Sequence, residues 1–178
     1  MQKHKEYAGL LAEQGDLDIA PFIQFGLAWQ ATNKLHFLVD FQRIYFSNIN
    51  AYGNAGNAPG RYGDDNGPGF GWSDLSVIKL GVHYQYNNRL TLRLGMSDVI
   101  REPVSQQQVL NNLNSTAVFD QRINAGVSWV LDKKNTLDLA INYIPKQDIT
   151  GENPQFPGQE ITLSNQLFSV DIGWRRAF

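Results

Sequence analysis

Seven segments of this chain alternate apolar and polar residues with a period of two, and that repetition leaves few architectures open. The first covers about 19–30, with Ile23, Phe25, Leu27 and Trp29 on one face and Gln24, Gly26, Ala28 and Gln30 on the other. In the second, about 35–47, Leu35, Phe37, Val39 and Phe41 oppose His36, Leu38, Asp40 and Gln42. The third, about 75–86, sets Ile78, Leu80, Val82, Tyr84 and Tyr86 against Lys79, Gly81, His83 and Gln85. The fourth, 90–97, sets Leu90, Leu92, Leu94 and Met96 against Thr91, Arg93, Gly95 and Ser97. The fifth, about 119–130, has Ile123, Ala125, Val127 and Trp129 opposite Arg122, Asn124, Gly126 and Ser128. Leu137, Leu139, Ile141 and Tyr143 carry the pattern through 136–143, and Phe168, Val170, Ile172 and Trp174 carry it to the last residue. Successive side chains of a strand point to opposite faces, so each segment reads as a strand with one greasy and one polar side.

A soluble sandwich also alternates, and the connections separate the two cases. Three are short (31–34, 87–89 and 131–135) and three are long (48–74, 98–118 and 145–160), in strict alternation. Tight turns at one end and long, glycine-rich loops at the other are the arrangement of outer-membrane barrels. Trp29, Tyr84, Tyr86, Trp129 and Trp174 all lie within a few residues of the short-turn end, each on the apolar face of its strand. Such a row is the aromatic girdle of a membrane interface, and a sandwich has no reason to align it. Mean hydropathy is −0.34 and no run of about 18 apolar residues occurs, which excludes a spanning helix but not spanning strands. The final residue is Phe178, an aromatic ending that fits the mark read by the outer-membrane assembly machinery; Arg176 departs from the usual apolar residue but can snorkel to water. The fold class is therefore all-β: an antiparallel transmembrane β-barrel of outer-membrane type, with about seven strands over 19–178 forming an open half-barrel. Residues 1–18 read as an extracellular loop or short helix.

The residues resemble those of the FadL/TodX-type family, outer-membrane transporters of long-chain fatty acids and aromatic hydrocarbons. Three stretches carry the likeness: Tyr7 to Ile19, the loop Asp65 to Asp74 with its Gly67, Gly69 and Gly71, and Leu90 to Gly95 followed by Pro103. The resemblance implies a fourteen-stranded barrel plugged by an N-terminal hatch, of which these strands are the last seven. It implies that the hatch, the first seven strands and the signal peptide lie upstream of Met1. It also implies location in the bacterial outer membrane and contact with its lipid.

On that reading the polar face is the lumen. Lys79, Arg93 and Arg122 either attract a carboxylate or pair with lumen acids such as Asp138 and Asp171 to build a rigid wall, and the wall is the preferred reading. Turn register sets His83 opposite Arg93 and Gln24 opposite Gln42. Leu38 and Val77 are apolar on otherwise polar faces and would touch a greasy substrate or pack against a hatch. Candidate substrate contacts are thus Leu38, Val77, Lys79, His83, Arg93 and Arg122.

Other chemistry finds no constellation. There is no cysteine, the three histidines are scattered, and no nucleophile elbow is present. The glycines at 67, 69 and 71 lack the strand and helix of a nucleotide fingerprint, and Asp64, Asp65 and Asn66 lack the spacing of a calcium loop. A net charge of −2 gives no reason to expect nucleic acid. The expectation is a non-enzyme without metal or cofactor that passes hydrophobic small molecules passively across the outer membrane. The alternative is a small structural or adhesive barrel whose long loops bind partners.

Overall fold

The computed structural model describes residues 9–15, 18–101, 104–113, 115 and 121–177. Seven strands form one sheet in sequence order: β1 (Phe22–Gln30), β2 (Leu35–Ile44), β3 (Leu75–Gln85), β4 (Leu90–Arg101), β5 (Gln121–Val130), β6 (Asn135–Glu152) and β7 (Glu160–Arg176). Every neighbouring pair is antiparallel, and the sheet does not close, so β1 and β7 are its edges. The register follows from the short turns. Gln24 faces Gln42 and His83 faces Arg93, as turn length requires. The turns are sealed locally: Thr32 Oγ1, Asn87 Oδ1 and Asp132 Oδ1 each accept backbone N–H groups two and three residues on.

One side of the sheet carries the apolar set and holds it open to its surroundings. Phe25, Leu27, Leu94, Ile172 and Trp174 are each more than half exposed. A water-soluble sheet would bury such a face; an unbroken exposed one is the surface a hydrocarbon solvent demands. On each strand the stripe is about four alternate residues tall, roughly 20–25 Å along the strand. It stops at a polar residue near the loop end: Arg43 after Phe41 on β2, Ser76 before Ile78 on β3, Gln166 before Phe168 on β7. Polar and small residues occupy the other, concave side.

Strand lengths depart from expectation at the loop end. β4 runs on to Arg101, and β6 and β7 run far past Tyr143 and Phe168, so that 145–160 is mostly a continued hairpin with a turn at 153–159. The reason lies in a phase change. A bulge between Ile144 and Gln147, around Pro145, lets β6 slip against β7. Beyond it the outward residues become polar (Asp148 with Ser164, Thr150 with Thr162) and the inward ones apolar (Ile149, Ile161, Leu163). The pattern is inverted where the hairpin leaves the apolar zone, so the expectation of a loop there is corrected. β1 also begins at Phe22 and β2 ends at Ile44, a few residues inside the expected limits, because Ala20 and the segment from Tyr45 onward fold into the loop layer. In the first segment the described structure is a 3-10 turn, Glu13–Gly15, with Gln14 in the left-handed region.

Candidate functional site: the inner wall and its loop cap

The concave face encloses a trough of about 710 Å³. Its floor is made of small residues: Gly81, Gly95, Gly126, Ala140 and Gly173. These sit on adjoining strands, Gly81 beside Gly95, and Gly126 beside Ala140, so the backbone itself is the floor. A Cβ built at Gly81, Gly95, Gly126 or Gly173 would meet its nearest neighbour at 3.4–3.6 Å, ordinary contact. Glycine is therefore not enforced there by crowding, and the empty volume is what its absence of side chain leaves.

Of the residues singled out from the sequence, Leu38, Lys79, His83 and Arg93 line the trough. Val77 and Arg122 share the inward face by register but do not line it. Lys79 donates to Gln42 Oε1 at 2.8 Å, and the rings of His36 and His83 lie 5.6 Å apart. Arg93 donates to Ser128 Oγ at 2.7 Å, and Ser128 in turn donates to Asp138. Asp138 also accepts two hydrogen bonds from Arg175, at 2.6 and 3.0 Å. Asn142 donates to Asp171 at 2.6 Å and to Ser169 at 3.1 Å. The wall is thus a ladder of rungs across β4 to β7. Arg175 is the member the sequence reading missed; its signal was the register that sets β7 against Asp138, since the two are distant in sequence.

The aromatic set sits on the outer face. Trp29 stacks on Phe37 with centroids 5.7 Å apart, and Tyr84 meets Tyr86 edge-on at 6.4 Å. Trp174 donates its indole N–H to Asn135 Oδ1 at 3.2 Å, the polar handle of a ring whose body is apolar. Trp129 lies beside Leu90 on the same face. Phe178 lies outside the described residues.

Over the loop end the chain builds a cap that the sequence did not disclose. Phe46, Tyr52, Phe70 and Trp72 form one aromatic stack, with Tyr52 and Trp72 parallel at 5.1 Å and Phe46 edge-on to Trp72 at 5.0 Å. A short helix, α1 (Asn50–Gly53), supplies Tyr52, whose hydroxyl pKa is raised by burial and by the nearby Asp18 carboxylate. Fully buried Asn112 ties this loop to the next: it accepts from Trp72 Nε1 at 2.6 Å and donates to the carbonyls of Phe70 and Gln108. Gln108 Oε1 accepts from Gly56 N at 2.8 Å. Val104 and Val109 pack on Ile149, with Trp72, Ile161 and Leu163 around them, so the loops fold onto the inward side of the hairpin. Asp74 anchors the returning loop. The Ser47 hydroxyl, the Ser47 N–H and Arg43 bond its carboxylate and hold its pKa below the usual range. Among the described residues, no group of three or more acidic or histidine side chains is placed to hold a metal.

An antiparallel sheet with an exposed apolar outer stripe, a polar concave wall and loops folded over one mouth defines a section of a transmembrane β-barrel of outer-membrane type. Its fold is that of part of a FadL/TodX-type barrel. The structure is similar to the Pseudomonas putida toluene transporter TodX, with a TM-score of 0.59 and 18% identity over 91% of this chain and 36% of that one. It is similar to the Ralstonia pickettii toluene transporter TbuX, with a TM-score of 0.53 and 16% identity over 89% and 33%. A Pseudomonas aeruginosa FadL homologue gives 0.52 and 10% over 86% and 34%. The chain thus spans about a third of the length of the structures it matches. No protein-family model matches the chain, and no curated protein sequence does.

Proposed function

We propose that this chain forms part of a passive outer-membrane transporter for hydrophobic small molecules, either neutral hydrocarbons of the toluene class or long-chain fatty acids. The observation that carries the reading is the trough: a concave wall with a bare glycine floor and few inward apolar residues, Leu38 among them, inside a sheet whose outer face is hydrocarbon-like. An apolar solute needs a dry surface inside an otherwise wet barrel, and exposed backbone with alternating Cα–H groups supplies one without adding bulk. The matched toluene transporters support the same class. The rungs from Arg93 to Arg175 serve as a rigid wall in this reading, because Ser128 links Arg93 to Asp138 and Arg175 pairs with the same carboxylate. The loops weigh against an adhesive role, since Trp72, Val104 and Val109 turn inward over the mouth instead of presenting an outward binding surface.

The test is uptake by cells with and without the gene, using a radiolabelled neutral aromatic hydrocarbon and a labelled long-chain fatty acid. Uptake of at least one should fall when the gene is removed and return with it. Equal uptake of both in its absence would sink the proposal.

A further inference from the structure

The short-turn end of the sheet is strongly basic. Lys34, Arg89, Lys133 and Lys134 sit in its turns, and Arg175 and Arg176 close β7. The single acid among the turns, Asp132, is consumed by its own loop, accepting from the N–H groups of Lys134 and Asn135 and from the Asn135 amide. Arg175 is committed to Asp138. Among the described residues, none of the side chains of Lys34, Arg89, Lys133 and Lys134 enters an ion pair.

Two of these cations share a hollow. Lys34, Asn87, Asn88, Arg89, Leu90 and Trp129 line a space of about 670 Å³ between the β1–β2 and β3–β4 turns. The backbone fixes the juxtaposition: Gln85 N donates to Lys34 O, and Val130 N donates to Arg89 O. Leu90 and Trp129 are register partners on the outer face, so the hollow opens onto the apolar stripe. Trp129 is about half exposed. Its indole N–H has no hydrogen-bond acceptor among the described residues, in contrast to Trp174, which uses Asn135.

We infer that this hollow binds the headgroup of an anionic glycerophospholipid in the leaflet at the short-turn end. The phosphodiester oxygens accept from the Lys34 ammonium, the Arg89 guanidinium and the Trp129 indole N–H, while the acyl chains lie along Leu90 and the stripe above it. Arg and Lys both suit phosphate, and a tryptophan at the headgroup level presents its polar edge to that depth. The occupant is a lipid rather than a free ion because two of the six lining residues are apolar: a bare phosphate would leave Leu90 and the Trp129 ring uncovered, whereas a lipid covers both. The inference rests on the outer face being lipid-facing and is independent of what passes through the lumen.

The full-length protein, labelled with 5-fluorotryptophan and reconstituted in phosphatidylcholine vesicles, gives a fluorine resonance for each tryptophan. Phosphatidylglycerol is then titrated in. A saturable shift of the Trp129 resonance is expected, with Trp29 unmoved as the control for folding. Each cation near an anionic surface strengthens attachment about five-fold, so Lys34→Gln with Arg89→Gln should raise the half-saturating lipid fraction more than ten-fold. Lys133→Gln with Lys134→Gln should leave it in place. A Trp129 shift that never saturates, or that survives the Lys34 and Arg89 changes, or that falls equally in both double variants, would reduce the effect to diffuse charge and overturn the site. If millimolar inorganic phosphate in pure phosphatidylcholine reproduces the shift, the site takes a simple anion and the lipid assignment is wrong.

Discussion

Filling the trough is the sharpest test of transport through this wall. Gly81 and Gly95 are register partners on β3 and β4, Gly126 lies two residues along on β5, opposite Arg93, and a Cβ at any of them makes only ordinary contacts. Leucine at each adds four carbons, and at roughly 25–30 Å³ per heavy atom that is about 100 Å³ a side chain. The triple change would therefore occupy on the order of 300 Å³, close to half of the trough's 710 Å³. Stability should not suffer. Replacing glycine inside a strand removes an entropic cost of about 0.5–1 kcal/mol per site, and the new side chains project into open volume. The expected result is a barrel at least as heat-resistant by gel mobility, in which uptake of a neutral hydrocarbon falls at least ten-fold. Ala125→Leu adds the same kind of bulk to the outward face of β5 and should change nothing. Full uptake by a folded triple variant would mean that solutes do not pass over this floor, and the assignment of the trough as their path would be refuted.

Three further outcomes follow from the geometry. Asn112→Ala strands the Trp72 indole N–H and two carbonyls inside the cap, which should cost roughly 2–4 kcal/mol locally and speed proteolysis within 45–74 while leaving the barrel intact; unchanged cleavage would show the tie to be idle. Asp74 has a folded-state pKa below its unfolded one, so its support for the loop is complete above the unfolded value and lost as pH falls through the lower folded value; hydrogen exchange of the Asp74 loop should stay slow at mildly acid pH, quicken only in strong acid, and lose that acid step in Asp74→Asn. Brominated lipids should quench Trp29, Trp129 and Trp174 at one shared depth, and finding any of them reached only from the lumen would invert the two faces of the sheet.

Much of this architecture was written in local pattern, and the exceptions are physical. Period two named seven strands, and turn length alone set His83 against Arg93, because a short hairpin admits one register. The extension of β6 and β7 escaped because its polarity flips at the bulge around Pro145: outside the apolar zone, a strand that shows threonine outward and isoleucine inward carries no sign of lipid. The inward glycines were visible as the polar-face members of their strands, yet only the assembled sheet shows that they line one trough. Asp138 with Arg175, and Trp72 with Asn112, join parts of the chain that sequence does not bring together, so no spacing rule could pair them.

In the proposed transporter, the β6–β7 hairpin bears on the direction from which solutes arrive. β1 and β2 stop near the top of the apolar stripe, at Phe22 and Ile44, whereas β6 and β7 climb past Tyr143 and Phe168 to Glu152 and Glu160. Eight or nine residues of extra strand lengthen that side by about 26–30 Å along the strand. The loop end of this section is therefore slanted, tall at β6–β7 and low at β1–β2. A solute approaching this section from behind β6 and β7 meets the polar pairs of the hairpin's outer side. From the side of β1 and β2, the described residues above the stripe are those of the loop that starts at Tyr45 and of the segment around Ala20. In the transporter proposed above, entry over the β1–β2 side is the shorter way in, and bulk attached at the hairpin tip, 153–159, stands clear of it.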